Sequence, residues 1–214
     1  MIRAYDKIYL ASAQKNLGRM LDYLVNTLNY PLKVAWQLFL TNDLSVRFEQ
    51  GDYSVLVGLS GAELARALLM QSDESISTLS PSYPYDRSPE FWTGWALAYY
   101  QWFTGLRFTE IEQAVPITDV RLLYIPYHEM DIRQFVDRMN EQYRIAKPET
   151  NLKALRTLTG QSQAQLALLS GVPLRTIQQY EQRKKDINRA QAKTLAQLAR
   201  TLKCDMEDLL EKVP

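Results

Sequence analysis

In "DKIYLASAQKNLGRMLDYLVNTLNY", Leu10, Leu17, Leu21, Leu24 and Leu28 recur at spacings of three, four and seven, which stack them on one face of an α-helix. Pro31 then opens "PLKVAWQLFL", standing where proline suits a helix start. "SGAELARALL" begins with Ser60 and carries Glu63 three residues on, a capping box. "SPEFWTGWALAYYQWF", 88–103, repeats this less fully, with Ser88 before Pro89. Its aromatics Phe91, Trp92, Trp95, Tyr99, Tyr100, Trp102 and Phe103 fall nearly all around the helix, which predicts a buried central helix. Residues 127–143 predict another helix, with Ile132, Phe135, Val136 and Met139 on one side. "YSVLVGL" reads as a short strand without an evident partner, and "SDESISTLSPSYPYDRS", 72–88, as a Ser/Pro-rich loop.

After "AKPET", 146–150, the pattern shortens. Its proline and polar residues disfavour a continuous helix and predict a linker between a domain at 1–145 and a domain at 150–214. Leu152, Leu155 and Leu158 define a first short helix ending at Gly160. Ser162 and Gln165 form a capping box for a second, with Leu166 and Ala167 inward. Gly171 supplies the sharp turn into "LRTIQQYE", where Ile177 and Tyr180 share the inner face. Asn188 is expected to cap a fourth helix buried along Leu195, Leu198, Ala199 and Leu202, and "DMEDLL" to start a fifth at Asp205. Five short helices with tight turns predict a helix-turn-helix at the centre of a compact domain, and the whole chain reads as all-α.

Charge and aromatic content divide at the same place. The formal net charge of the 214 residues is only +1, but residues 150–203 hold ten Lys and Arg against two acids. Such a local excess predicts a polyanionic partner. All four Trp, all six Phe and twelve of thirteen Tyr precede residue 150, leaving Tyr180 alone behind it. The start lacks a signal-peptide pattern, and no run approaches the length of a membrane span. With the single Cys204 excluding an intrachain disulfide, the expectation is a cytoplasmic protein without membrane association.

Candidate chemistry is sparse. "HEMD", 128–131, holds the only histidine beside acids, but lacks further His or Cys ligands and a nucleophile motif. It reads as a helix first turn whose acids suit the dipole. There is no phosphate-binding loop, dinucleotide fingerprint or GxSxG, so no catalytic residue, metal or cofactor is expected, and no enzyme.

The motif residues of the last part also form a known constellation. Ser162-Gln163 opens the second helix, followed by Leu166-Ala167, Gly171-Val172, Thr176-Ile177 and Tyr180-Glu181, then Leu-Ala…Leu in the fourth helix. This closely resembles the Cro/phage-repressor type of helix-turn-helix, the XRE family, over residues 150–210. Arg183 and Asn188 depart from it, standing where that family often has glycine and proline. The resemblance implies a five-helix lambda-repressor-like domain with 174–181 as recognition helix. Leu174, Arg175, Gln178 and Gln179 would then read base edges, since Arg suits guanine and Gln adenine. Gln163, Arg183, Lys184, Lys185 and Arg189 would hold phosphates. Glu181 is structural by the same resemblance.

The implied function is a bacterial transcriptional regulator that binds double-stranded DNA sequence-specifically and represses by occupying a promoter. The alternatives are an antitoxin that autoregulates its operon, and an enzyme tethered to DNA. Residues 1–145 resemble only uncharacterised helical domains fused to such modules. Their expected role is dimerisation, or binding a protein partner or small effector. A homodimer is expected because one module reads few base pairs and two recognition helices on one DNA face need a spacing of about 34 Å.

Overall fold

A computed structural model of the chain describes residues 3–71 and 88–213, and among them there is no strand. The loop expected at 72–88 lies outside the described residues except for Ser88. The chain divides into two compact units, Met1–Tyr143 and Arg144–Pro214. Among the described residues no helix is long and apolar enough to cross a membrane.

In the first unit the leucine stripe builds α1, Leu10–Asp22, which widens into a π-type turn at Tyr23–Thr27. Leu10, Leu17, Leu21 and Leu24 are buried as the periodicity demands. Pro31 starts α2, Leu32–Leu40, and Asn42 caps α3, Asp43–Glu49, by accepting from the Leu44 N–H. The expected strand is instead a single helical turn, α4, Tyr53–Leu56. Asp52 accepts from both the N–H and the hydroxyl of Ser54, fixing a helix start. Consecutive Val55 and Leu56 are both buried, whereas a strand with one wet face would turn one of them outward.

The box of Ser60 and Glu63 closes on α5, Gly61–Gln71, with the two reciprocal bonds at 2.8 and 3.3 Å. Ser88 caps α6, Pro89–Thr104, accepting from the Phe91 N–H at 3.0 Å. No residue of α6 is exposed, so its aromatics do form a central helix. α1 lies against α6 with backbones almost touching: a Cβ on Gly94 would sit 2.6 Å from the Leu17 carbonyl oxygen, and one on Gly18 2.7 Å from that of Phe91.

The unit continues through α7, Phe108–Ala114, α8, Ile117–Leu122, α9, Tyr124–Tyr127, and α10, Ile132–Ala146, which belongs to it as far as Tyr143. Trp36, Phe39, Phe48 and Phe108 pack ring against ring with centroids 5.3–6.0 Å apart. "HEMD" precedes α10 rather than forming its first turn, because Asp131 accepts from the Arg133 N–H as a cap.

A part-buried polar network lies beside α6. Arg121 Nε donates to Glu90 at 2.6 Å, Asn26 bridges Glu90 and Asp22, and the Ser88 hydroxyl donates to Asp22 at 2.5 Å. Burial pushes the Glu90 carboxyl up, but bonds from Arg121, its own backbone and Asn26 outweigh this and hold it below the ordinary value. At Glu112 burial prevails over bonds from Ile117 and Trp36 and raises the carboxyl. Stability from Glu90 is therefore full above the usual glutamate range of ~4.3 and lost as pH falls through its lower folded value. Glu112 acts with opposite sign, stabilising on the acid side and losing this as pH rises. Melts of the chain at falling pH should show the Glu90→Gln variant losing less of its transition temperature than wild type. An equal acid-side fall in both would show that Glu90 does not drive it.

In the second unit Thr150 caps α11, Asn151–Leu158, followed by α12, Gln163–Ser170, and α13, Leu174–Glu181. A 3₁₀ turn at Ile187–Arg189 leads to α14, Ala192–Leu202. The core gathers Leu152, Leu166, Ile177, Tyr180, Leu198, Leu202 and Leu209, with Ala167 and Leu195 packed against it. Of the leucines that define α11, Leu152 is buried, whereas Leu158, its last residue, is 84% exposed. The expected fifth helix is one 3₁₀ turn, Glu207–Leu209, after which the chain extends so that the Asn151 amide reaches Leu210 O at 2.6 Å. Nor does Asn188 cap α14; Gln191 holds that position without a side-chain bond. The Asn188 amide instead takes both backbone groups of Glu211, at 2.6 and 2.9 Å.

Candidate nucleic-acid interface

The capping box of α12 is complete, Ser162 and Gln165 each accepting from the other's backbone N–H. Gly171 ends the helix at φ +70, in the left-handed region, and its N–H donates to Ala167 O at 3.0 Å. Val172 is buried beneath the turn and Pro173 precedes α13. At about 100° per residue, Ile177, Tyr180 and Glu181 cover one arc of α13, and Leu174, Arg175, Gln178 and Gln179 cover the neighbouring one, with Leu174 bordering Glu181 seven residues on. The first set is buried; Leu174 and Arg175 are exposed, and Gln178 and Gln179 half-buried. The four residues expected to read bases thus share one outward stripe.

Beneath α13 lies an ion pair that sequence reading did not find. Arg156 donates from Nε and Nη2 to the two oxygens of Glu181 at 2.6 and 3.0 Å, and from Nη1 to Gln161 O at 2.7 Å. The Glu181 side chain is 2% exposed and that of Arg156 12%. The bond to Glu181 pushes the Arg156 pKa above its ordinary value, against burial. Gln163 Nε2 joins this pair, donating to Glu181 at 2.7 Å. The start of α12 and the ends of α11 and α13 are therefore tied at one carboxylate. Glu181 is structural, as expected, and the amide nitrogen of Gln163 is turned inward.

The turn after α13 carries the basic residues. Lys184 and Lys185 are exposed, with the Lys185 ammonium 5.6 Å from the Tyr180 ring centre. The side chain of Arg189 is 89% exposed, 3.5 Å from Asp186. Arg183 differs: its backbone takes φ +53 and its guanidinium bonds backbone carbonyls instead of facing outward. Burial, with Asp208 and Asp205 nearby, raises the Cys204 thiol above its ordinary value.

His128 stacks on Tyr124 at 4.3 Å, with Nδ1 2.9 Å from Tyr124 O. Among the described residues no group of three His, Cys, Asp or Glu is placed to hold a metal ion.

Residues 152–209 match the family model described as "Helix-turn-helix", in agreement with the XRE type that the motif residues resemble. The match covers this segment alone and suggests a DNA-binding regulator of the XRE type. Neither the curated proteins nor the solved structures include a match to the chain.

Proposed function

We propose that the protein is a transcriptional regulator that represses by occupying its operator, reading bases with α13 and gripping the backbone with the basic turn. The observation that carries this reading is the division of α13 into a buried face and an outward stripe of Leu174, Arg175, Gln178 and Gln179. Arginine and glutamine offer paired donors and acceptors at the right reach for base edges. Lys184, Lys185 and Arg189 supply the sequence-independent attraction, with the backbone N–H of Gln163 at the α12 start a further donor to phosphate. The protein acts as a pair, with residues 1–145 providing the interface or binding a partner or effector.

Two substitutions test the division of labour. Arg175→Ala should cost about 1–3 kcal/mol on a site selected from random duplexes and relax the choice at one base pair. Lys184→Ala should weaken selected and random duplexes alike and lower the salt slope by about 0.9, one phosphate's share. Anisotropy titrations over a salt series measure both. Equal loss of base preference in the two variants would show that α13 is not the reading element.

A further inference from the structure

Arg183 is built as an inward-facing clamp. Its side chain is 23% exposed, and Nη1 donates to Pro148 O at 2.7 Å. Nη2 reaches Lys147 O at 3.2 Å and Glu149 O at 3.4 Å, and lies 3.8 Å from Glu211 Oε2. Glu211 is itself held: Oε1 accepts from the Asn151 N–H at 2.5 Å, while Asn188 grips its backbone. One guanidinium thus joins three pieces of chain distant in sequence: the lead-in to α11, the turn after α13 and the C-terminal tail.

The backbone conformation makes this arrangement costly to reach by accident. A residue with a Cβ is disfavoured at φ +53, where glycine is at ease. The side chain recovers that cost through a planar fork of donors that matches several oxygens at once. A phosphate would compete with the carbonyls for those donors. Lys184 and Lys185 follow directly in the chain, so whatever fixes Arg183 fixes the positions from which they project.

We propose that Arg183 is a positioning residue for DNA binding: it clamps the segment 147–149 and the tail at Glu211 onto the turn that presents Lys184 and Lys185, and touches no phosphate itself. This rests on the DNA-reading function above. The lead-in segment accordingly moves with the second unit rather than acting as a loose tether.

The test uses the full chain with Arg183→Gly and Arg183→Lys. Glycine removes the clamp and also relieves the left-handed backbone, so the fold is not strained. Cleavage after Glu149 by a glutamate-specific protease should rise about tenfold in Arg183→Gly, as expected when charge-assisted bonds restraining a segment are lost. Arg183→Lys should fall between, since one ammonium can hold some of the carbonyls but not in a fork. Affinity for a random-sequence duplex should drop about fivefold in Arg183→Gly with the salt slope unchanged, since no phosphate partner is lost. A slope reduced by about 0.9 would make Arg183 a phosphate contact and overturn the proposal. Unchanged cleavage would overturn it equally. A wild-type protein that binds no duplex defeats the DNA-reading function and leaves the clamp to be decided by cleavage alone.

Discussion

Glu181→Ala should strongly destabilise the second unit while the first stays intact. Removing the carboxylate strands the Arg156 guanidinium, whose side chain is 12% exposed, without a counter-charge. Breaking one side of such a buried pair costs about 3–5 kcal/mol. A unit of this size holds on the order of 3–10 kcal/mol in total, so the loss takes about a third or more. Gln163 and α12 lose their anchor at the same time. All four tryptophans precede residue 150, so their fluorescence reports the first unit, while circular dichroism reports both. Urea titration should therefore show an early loss of helical signal with an unchanged tryptophan transition. Replacing both partners, Arg156→Met with Glu181→Leu, should recover much of the stability, because no charge is then left buried. A loss below about 1 kcal/mol in Glu181→Ala would place the pair among those that behave as if solvent-exposed.

Phe108→Ala should produce the converse pattern. Phe108 is fully buried at the start of α7, with its ring 5.3–5.7 Å from those of Trp36, Phe39 and Phe48. Truncation leaves a cavity bounded by three rings that cannot all close on it, at about 3–5 kcal/mol. The tryptophan transition should move to lower urea and the Trp36 emission should change in the native state, with DNA binding by the second unit retained. An unaltered tryptophan transition would mean that the ring cluster collapses onto the gap.

What the sequence disclosed was local. Ser162 with Gln165, Ser60 with Glu63, Ser88 before Pro89 and Gly171 at its turn each act within four residues, so their spacing along the chain equals their role in space. The inner face of α13, Ile177 with Tyr180, followed from helical period, while its outward residues were what the family resemblance implied. The remaining features join distant positions. Arg156 finds Glu181 twenty-five residues on, Asn188 finds Glu211 twenty-three residues on, and Arg183 reaches back past thirty. No periodicity announces such pairs, and each charged residue reads equally well as surface. The phosphate role expected of Arg183 came from its place in the turn after α13, not from any sign of its long-range partners. "YSVLVGL" misled because β-branched residues suit strands, while the deciding group was Asp52 just before it. "HEMD" was placed one turn too far into its helix because the cap, Asp131, was itself among the residues assigned to the helix.

Gly18 and Gly94 bear on ancestry. Where α1 crosses α6, a single added carbon at either position would collide with the facing backbone. The bulky residues around the crossing can be exchanged for others of similar volume as a lineage drifts, since a neighbour can shift to accommodate each change. The crossing cannot drift in that way, because the nearest atom facing each glycine is a main-chain carbonyl oxygen, common to every sequence. Descendants that keep this first unit would diverge freely in their tryptophans and phenylalanines while retaining the smallest residues at positions 18 and 94. That pair, inconspicuous in the chain, is the inherited mark by which distant kin of the unit could be told.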